Sequence, residues 1–301
     1  MRALTLRTAL LLPLSTLVVS INTIVHVIPL FALALLKFAF PFDAVRRRLG
    51  LALTAIAENW IAVNSRLIDW LAPGDWQILG GESLRYEGWY LVACNHQSWV
   101  DIPVLQKVFN KRIPFLKFFL KQQLIWVPLL GLAWWALDFP FMRRYSQAQI
   151  AQDPSKRGKD RQATRRACEK FAKLPVSVMN FVEGTRRTEE KHASQSAAFR
   201  HLLKPKAGGI AFVVDAMGNV LQSLVDVTIV YPDGTPSMLT LLGGNMRRVI
   251  VHIQERAIPP QFVGGDYEND AEFRQHFQTW INDIWVEKDA LIDRLKAGAM
   301  R

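Results

Sequence analysis

The first long signal along this chain of 301 residues is an apolar run. From Thr8 to Leu36 there is no Lys, Arg, Asp or Glu, and that length exceeds the roughly 20 apolar residues needed to span a bilayer. A secretory signal has a shorter apolar core, about 7 to 15 residues, followed by a small-residue cleavage site, so the run reads as a retained anchor. Pro29, with His26 nearby, interrupts it near its middle. Leu49, Leu53, Ile56, Trp60, Val63 and Leu67 then recur at alternating four- and three-residue intervals, which predicts a helix over 46–70 that packs the anchor onto the domain beyond it. Pro73-Gly74-Asp75 ends it. Residues 76–90 predict a strand, a turn and the start of a second strand, whose apolar stretch Trp89-Tyr90-Leu91-Val92-Ala93-Cys94 is unbroken.

Farther along, Pro114 to Leu130 mixes Lys117 and Lys121 with Phe and Leu at helical spacing and predicts an amphipathic surface helix. It overlaps an apolar patch, Leu124 to Leu137, that holds Trp126, Trp134 and Trp135 and is broken by Pro128 and Gly131. About 14 residues is short for a span. The patch reads either as an interfacial segment, tryptophan favouring the headgroup level, or as a buried core helix. A basic stretch comes next, with a helix over about 160–173 whose inner face is Ala163, Ala167, Cys168 and Phe171. Pro175 to Val182 is a strand. Lys204-Pro205-Lys206-Ala207-Gly208-Gly209 leads into a helix over 210–217, and free amides at such a start favour anions. Ser223 to Val230 is a strand, Pro232-Asp233-Gly234 a turn, and Met238 to Leu242 and Arg248 to Ile253 two further strands. Residues 266–296 predict a C-terminal helix packed through Phe273, Phe277, Trp280, Ile284, Trp285, Leu291 and Leu295.

Alternating strands and helices predict an α/β fold with a mixed, partly parallel sheet flanked by helices and an N-terminal membrane-anchoring helical segment. The expected divisions are 1–45, a transmembrane or re-entrant anchor; 46–85, a helical connector and first strand; 86–262, the α/β domain; and 263–301, a C-terminal helical segment.

Charge sharpens this picture. Half the residues are hydrophobic, yet 37 Lys and Arg against 26 Asp and Glu leave a net charge of +11. A greasy and basic chain suits an anionic leaflet, to which each nearby cation adds about 1 kcal/mol. Nucleic acid is the other partner basic charge could serve, but no zinc spacing, nucleotide-binding motif or helix-turn-helix signature accompanies it. Basic residues flank the anchor on both sides (Arg2 and Arg7 before; Lys37 and Arg46-Arg47-Arg48 after), so the positive-inside bias chooses weakly between a tilted spanning helix and a kinked hairpin. The spanning helix, with its heavier basic cluster in the cytoplasm, is the reading the residues favour. Two distant cysteines, Cys94 and Cys168, give no disulfide framework. A Cys94–His96 nucleophile pair is conceivable, but a cysteine in an apolar strand is ordinarily a small buried hydrophobe.

Candidate chemistry lies just past two strand ends. After Cys94 comes Asn95-His96-Gln97-Ser98-Trp99-Val100-Asp101. A histidine there can take and return a proton near neutral pH, and a carboxylate a few residues on can hold one ring nitrogen while the other faces a substrate hydroxyl. This is the base-and-orienter half of a triad without a protein nucleophile. After the strand ending at Val182 comes Glu183-Gly184-Thr185-Arg186. Gly184 permits a tight turn, Arg186 offers a fork for phosphate or carboxylate oxygens, Thr185 adds a donor, and Glu183 can anchor the arginine or bond a hydroxyl. Each motif alone also fits an ordinary loop. If the two strands run parallel, both motifs share one rim, where ligands of such folds bind.

Taken together, His-x4-Asp after one strand and Phe-Val-Glu-Gly-Thr-Arg after another resemble the glycerolipid acyltransferase family, which includes the 1-acylglycerol-3-phosphate acyltransferases. The likeness covers residues 86–232. Phe141-Met142-Arg143-Arg144 is similar to the end of that family's second block, although Asp138 stands where the block usually opens with glycine. Ser223 to Val230 occupies the place of its fourth block and lacks the usual proline. The resemblance implies His96 as general base with Asp101 orienting it. It also implies Glu183, Gly184, Thr185 and Arg186, with Arg144, at the acceptor phosphate. Implied further are a lysophospholipid acceptor, first of all 1-acylglycerol-3-phosphate, an acyl-CoA or acyl carrier protein donor, no metal and no cofactor. The expected setting is a bacterial inner membrane with the site on the cytoplasmic side. Other readings are a different lysophospholipid acceptor, an acyl hydrolase (for which no Gly-x-Ser-x-Gly elbow is present) and a non-enzymatic membrane-surface protein.

Overall fold

In the computed structural model the described residues are 6–142, 174–195 and 198–299, with Gln152, Asp153, Gln162, Arg165, Ala167, Cys168, Glu169 and Phe171 between them. Two long helices open the chain, α1 (Leu6–Ala39) and α2 (Asp43–Leu71). They form a hairpin along which polar side chains of α1 are satisfied in pairs. Asn22 donates to Asn64 Oδ1 at 2.9 Å, Trp60 Nε1 to Thr23 at 3.2 Å, and Asn59 meets His26 Nε2 at 2.9 Å. Polar groups within an apolar helix need such partners when buried.

The sheet has six strands in the order β1-β8-β7-β2-β6-β3. They are β1 (Asp75–Leu79), β2 (Trp89–Cys94), β3 (Leu116–Phe118), β6 (Val176–Phe181), β7 (Ser223–Val230) and β8 (Arg248–Arg256). β2 runs parallel to both β6 and β7, β3 is parallel to β6, β1 is parallel to β8, and β7–β8 is antiparallel. The expected mixed, partly parallel α/β sheet is what forms, and most of its pairings are parallel. A two-stranded pair, β4 (Leu120–Lys121) with β5 (Phe141–Met142), stands apart, and a short helix, α5 (Glu189–Ser194), follows β6.

Both faces of the sheet are covered, which is why β2 and β7 read as unbroken apolar runs rather than alternating ones. Tyr90, Val92 and Cys94 of β2, and Val225, Val227 and Ile229 of β7, pack under α3 (Asp101–Phe109) through Val104, Leu105, Val108 and Phe109. Leu91, Ala93 and Leu224 face the other way, onto α6 (Gly208–Met217) and the C-terminal helix α8 (Ala271–Ala299). Trp285 and Phe277 of α8 are fully buried there, each contributing on the order of 2–3 kcal/mol by area. Gly209 lets α6 pass close to Asn180, whose side-chain amide nitrogen would lie 2.6 Å from a Cβ at that position.

Two expectations are corrected. Met238–Leu242 forms a short helix, α7, not a strand: Ser237 and Thr240 make a capping box that satisfies its first amides. Residues 114–130 form no amphipathic helix; β3, β4 and a 3₁₀ turn (Gln122–Trp126) replace it, followed by α4 (Leu130–Ala136). Here sheet-edge pairing of Leu116–Phe118 with β6 overrode the local spacing. The patch over 124–137 is divided: Ala133 and Ala136 pack on α1 and α2, while Trp126 is 82% and Trp135 51% exposed. Within 160–173, the described residues are helical, and Cys168 and Phe171 are buried as expected.

Candidate active site

β2 and β6 run parallel with Cys94 opposite Phe181, so each delivers its motif two residues later to the same rim. Two backbone bonds extend the pairing beyond the strands: Val182 N–H donates to Cys94 O at 3.3 Å, and Arg187 N–H to His96 O at 2.8 Å. On the other side, the Asn95 side chain prolongs the β2–β7 ladder. Its amide donates to Ile229 O at 3.0 Å and its carbonyl accepts from Ile229 N–H at 2.9 Å. Asn95 is wholly buried, so the residue before His96 is fixed by bonds that water cannot replace.

His96 Nδ1 lies 2.8 Å from Asp101 Oδ2. A carboxylate partner places the proton on Nδ1 and leaves Nε2 as the basic nitrogen. The same Oδ2 accepts from the backbone N–H of Gln97 at 2.7 Å and of Ser98 at 2.8 Å. Ser98 in turn donates to Pro236 O. Phe181 stacks flat on the imidazole, with centroids 3.8 Å apart. The ring is therefore held at one edge and across one face.

The Glu183-Gly184-Thr185-Arg186 segment turns at Gly184, where φ is +70°, the left-handed region that a side chain would strain. Arg186 lies over the exposed Trp99 ring at 4.6 Å, a cation–π contact that holds the guanidinium on the His96 side of the rim. Thr185 accepts from Lys191 Nζ at 2.7 Å. Glu183 sits beneath this loop, only 1% exposed. Its carboxylate accepts from the backbone amides of His96 and Leu203, but one oxygen, Oε2, has no partner among the described residues. Burial pushes its pKa up to about 8, against the lowering effect of those amides and of Lys288. Near neutral pH it is a carboxylic acid that ties the two loops together. Arg144 lies outside the described residues. Lys204 and Lys206, singled out beside the α6 glycines, are exposed, and Lys206 N–H donates to Val182 O at 2.8 Å.

Cys94 is no partner for His96. Its sulfur faces Asn95 Oδ1 at 3.7 Å, and burial pushes the thiol well above its ordinary range, so it stays protonated.

His96, Trp99 and Phe181 line one end of a cavity of about 540 Å³ that runs under the α1–α2 hairpin between Leu30, Trp60, Phe115 and Ala133. Its walls are predominantly apolar, and its size falls in the range that encloses small-molecule ligands.

Sequence reasoning missed three contributors: Tyr231, whose hydroxyl donates to Asp101 Oδ1 at 2.7 Å; Phe181, against the imidazole; and Lys191, on Thr185. Tyr231 carried a readable signal. It continues the odd-numbered positions of β7, which face α3, and α3 begins with Asp101.

Residues 76–238 match the family model described as Acyltransferase. The chain is 28% identical over 219 residues to 1-acyl-sn-glycerol-3-phosphate acyltransferase 2 of Brassica oleracea, covering 68% of this chain and 51% of that protein. It is 25% identical over 214 residues to the human delta form, covering 66% and 51%. This chain thus matches about half the length of these relatives. Among solved structures, the 1-acyl-sn-glycerophosphate acyltransferase PlsC of Thermotoga maritima superposes with a TM-score of 0.51 at 17% identity, covering 92% of this chain and 97% of that one, a likeness of fold. Because the matched family model spans more than half of the chain, including both motifs and the strands that carry them, the chain belongs to the acyltransferase family.

Proposed function

We propose that this protein moves a fatty acyl group from a thioester, acyl-CoA or acyl carrier protein, to the free hydroxyl of 1-acylglycerol-3-phosphate, giving phosphatidic acid. The observation that carries this reading is one juxtaposition: the Asp101-held His96 lines an apolar cavity together with Trp99, over whose ring Arg186 lies. A substrate with a hydroxyl, a phosphate and a hydrocarbon chain engages all three. The names of the relatives point the same way.

His96 Nε2 takes the acceptor's proton as its oxygen forms a bond to the thioester carbonyl carbon. Asp101 stabilises the imidazolium that results. The tetrahedral intermediate collapses with cleavage of the C–S bond, and His96 returns the proton to the departing sulfur. Arg186 and Thr185 hold the phosphate, a charge-assisted contact. Glu183 supports them from below by fixing both loops.

The membrane reading follows from α1. Its outward face exposes Leu10, Leu14, Leu17, Ile21, Ile24, Ile28 and Leu35. It is nevertheless bonded to the α/β domain near both ends, through Thr8 to Asn245 and Lys37 to Asp138. A helix of about 50 Å so attached to a polar domain lies along one leaflet rather than across the bilayer. The cavity under the hairpin then opens toward lipid, on the cytoplasmic side where thioester donors reside. Arg7→Cys and Phe40→Cys, in sealed vesicles, should both react with an impermeant reagent added to one side; labelling from opposite sides would refute this placement.

The test of the reaction is transfer from labelled acyl-CoA, and from acylated carrier protein, to a panel of lysophospholipids by membranes carrying the wild-type chain or His96→Ala. Product from the wild type and none from the variant, at equal membrane content, supports the proposal and names the acceptor. Equal product from both removes His96 as the base.

A further inference from the structure

We propose that Tyr231 is a positioning residue of this acyl transfer, one that governs through Asp101 how strongly His96 attracts its proton; the proposal rests on His96 being the base. The Asp101 carboxylate is completely buried. One oxygen receives His96 and two backbone amides, and the other receives the Tyr231 hydroxyl at 2.7 Å. An acceptor oxygen at such depth is costly to leave unmatched, and each donor it receives withdraws negative charge that would otherwise act on the imidazole.

Tyr231 is suited to act as a permanent donor. Burial, and then the Asp101 charge, push its phenol well above its ordinary value, so it keeps its proton throughout the working range. Among the described residues, the other groups facing this pair are few. Cys94 of β2 is held protonated by burial, and Glu183 after β6 is protonated below about 8. Asp226 of β7 is paired with Lys288 of α8 and with Arg256 of β8. Register explains how a residue so distant in sequence arrives here: β7 lies beside β2, and its odd-numbered side chains point at α3, whose first residue is Asp101.

Removing the hydroxyl leaves Asp101 Oδ1 without its donor. The carboxylate then pulls harder on the His96 Nδ1 proton and favours the imidazolium. Tyr231→Phe should move the acid limb of the kcat/KM profile up by about half a pH unit or more. It should also lower kcat about tenfold, with both KM values within about twofold of wild type. Incorporating 2,3-difluorotyrosine at position 231 supplies a more acidic phenol of nearly the same shape. That stronger donor should move the limb the other way. A merely structural tyrosine would move neither.

His96→Ala in the same assay separates the two readings. If His96→Ala remains active, the base assignment fails and the role of Tyr231 falls with it. If His96→Ala is inactive but the acid limb is unmoved in Tyr231→Phe, the proposal for Tyr231 alone is overturned. Should Tyr231→Phe fail to fold, the fluorinated protein decides: a downward shift supports the proposal, and no shift or an upward one overturns it.

Discussion

Glu183→Gln tests the conclusion that the acid beneath the site is neutral when the enzyme works. Glu183 is 1% exposed, receives two backbone amides and leaves Oε2 unmatched. Its pKa rises from 4.5 to about 8 on folding, with burial the principal cause. Between those values the folded chain keeps a proton that the unfolded chain has released. The unfolded state therefore binds fewer protons, and stability falls as pH rises through this window. At about 1.4 kcal/mol per pH unit, the full rise costs on the order of 5 kcal/mol by pH 8. Glutamine copies the protonated acid in shape and has no proton to lose. Near pH 5 the variant and wild type should be about equally stable, and the gap should widen in favour of glutamine to several kcal/mol near pH 8. The assay is urea unfolding in detergent, followed by tryptophan fluorescence across that range at fixed ionic strength. A gap that does not change with pH, or a glutamine variant less stable than wild type near pH 8, would refute the reasoning.

Asp101→Asn removes the charge that orients His96 while keeping the side-chain shape; kcat should fall about 10²- to 10⁴-fold with little change in KM, read by steady-state kinetics. Arg186→Ala should raise the KM for 1-acylglycerol-3-phosphate about tenfold or more while leaving a neutral lysolipid acceptor nearly unaffected; equal losses on both acceptors would remove Arg186 from the phosphate. Ala133→Phe places a ring in the apolar cavity and should shift donor preference toward shorter acyl chains in a series of acyl-CoA competitors. An unchanged series would show that the chain lies elsewhere.

Several parts of this molecule were legible before any contact was known. The apolar run over 8–36, the helical spacing over 46–70 and the C-terminal helix are long periodic signals, and long signals survive tertiary context. The strands ending at Cys94 and Phe181 were readable for a different reason, because each is a short unbroken apolar run stopped by polar residues. Met238–Leu242 was not readable: five apolar residues suit a strand or a helix equally, and the capping box at Ser237 and Thr240 decided the outcome. Likewise, Leu116–Phe118 became a strand only because β6 offered it a free edge.

The sequence by itself determined which chemical groups were available and that His96 and Glu183 each come just after a strand. Their spacing is local and covalent, so no folding information was needed to state it. What the tertiary structure alone decided is how those groups behave. Glu183 becomes a neutral acid because of what is packed over it, Asp101 gains Tyr231 through the register of β7 beside β2, and the cavity exists only where the α1–α2 hairpin lies across the rim. Burial and register are properties of contacts between residues far apart in the chain. They depend on the free energy of the whole packed arrangement, which no local pattern of residues encodes.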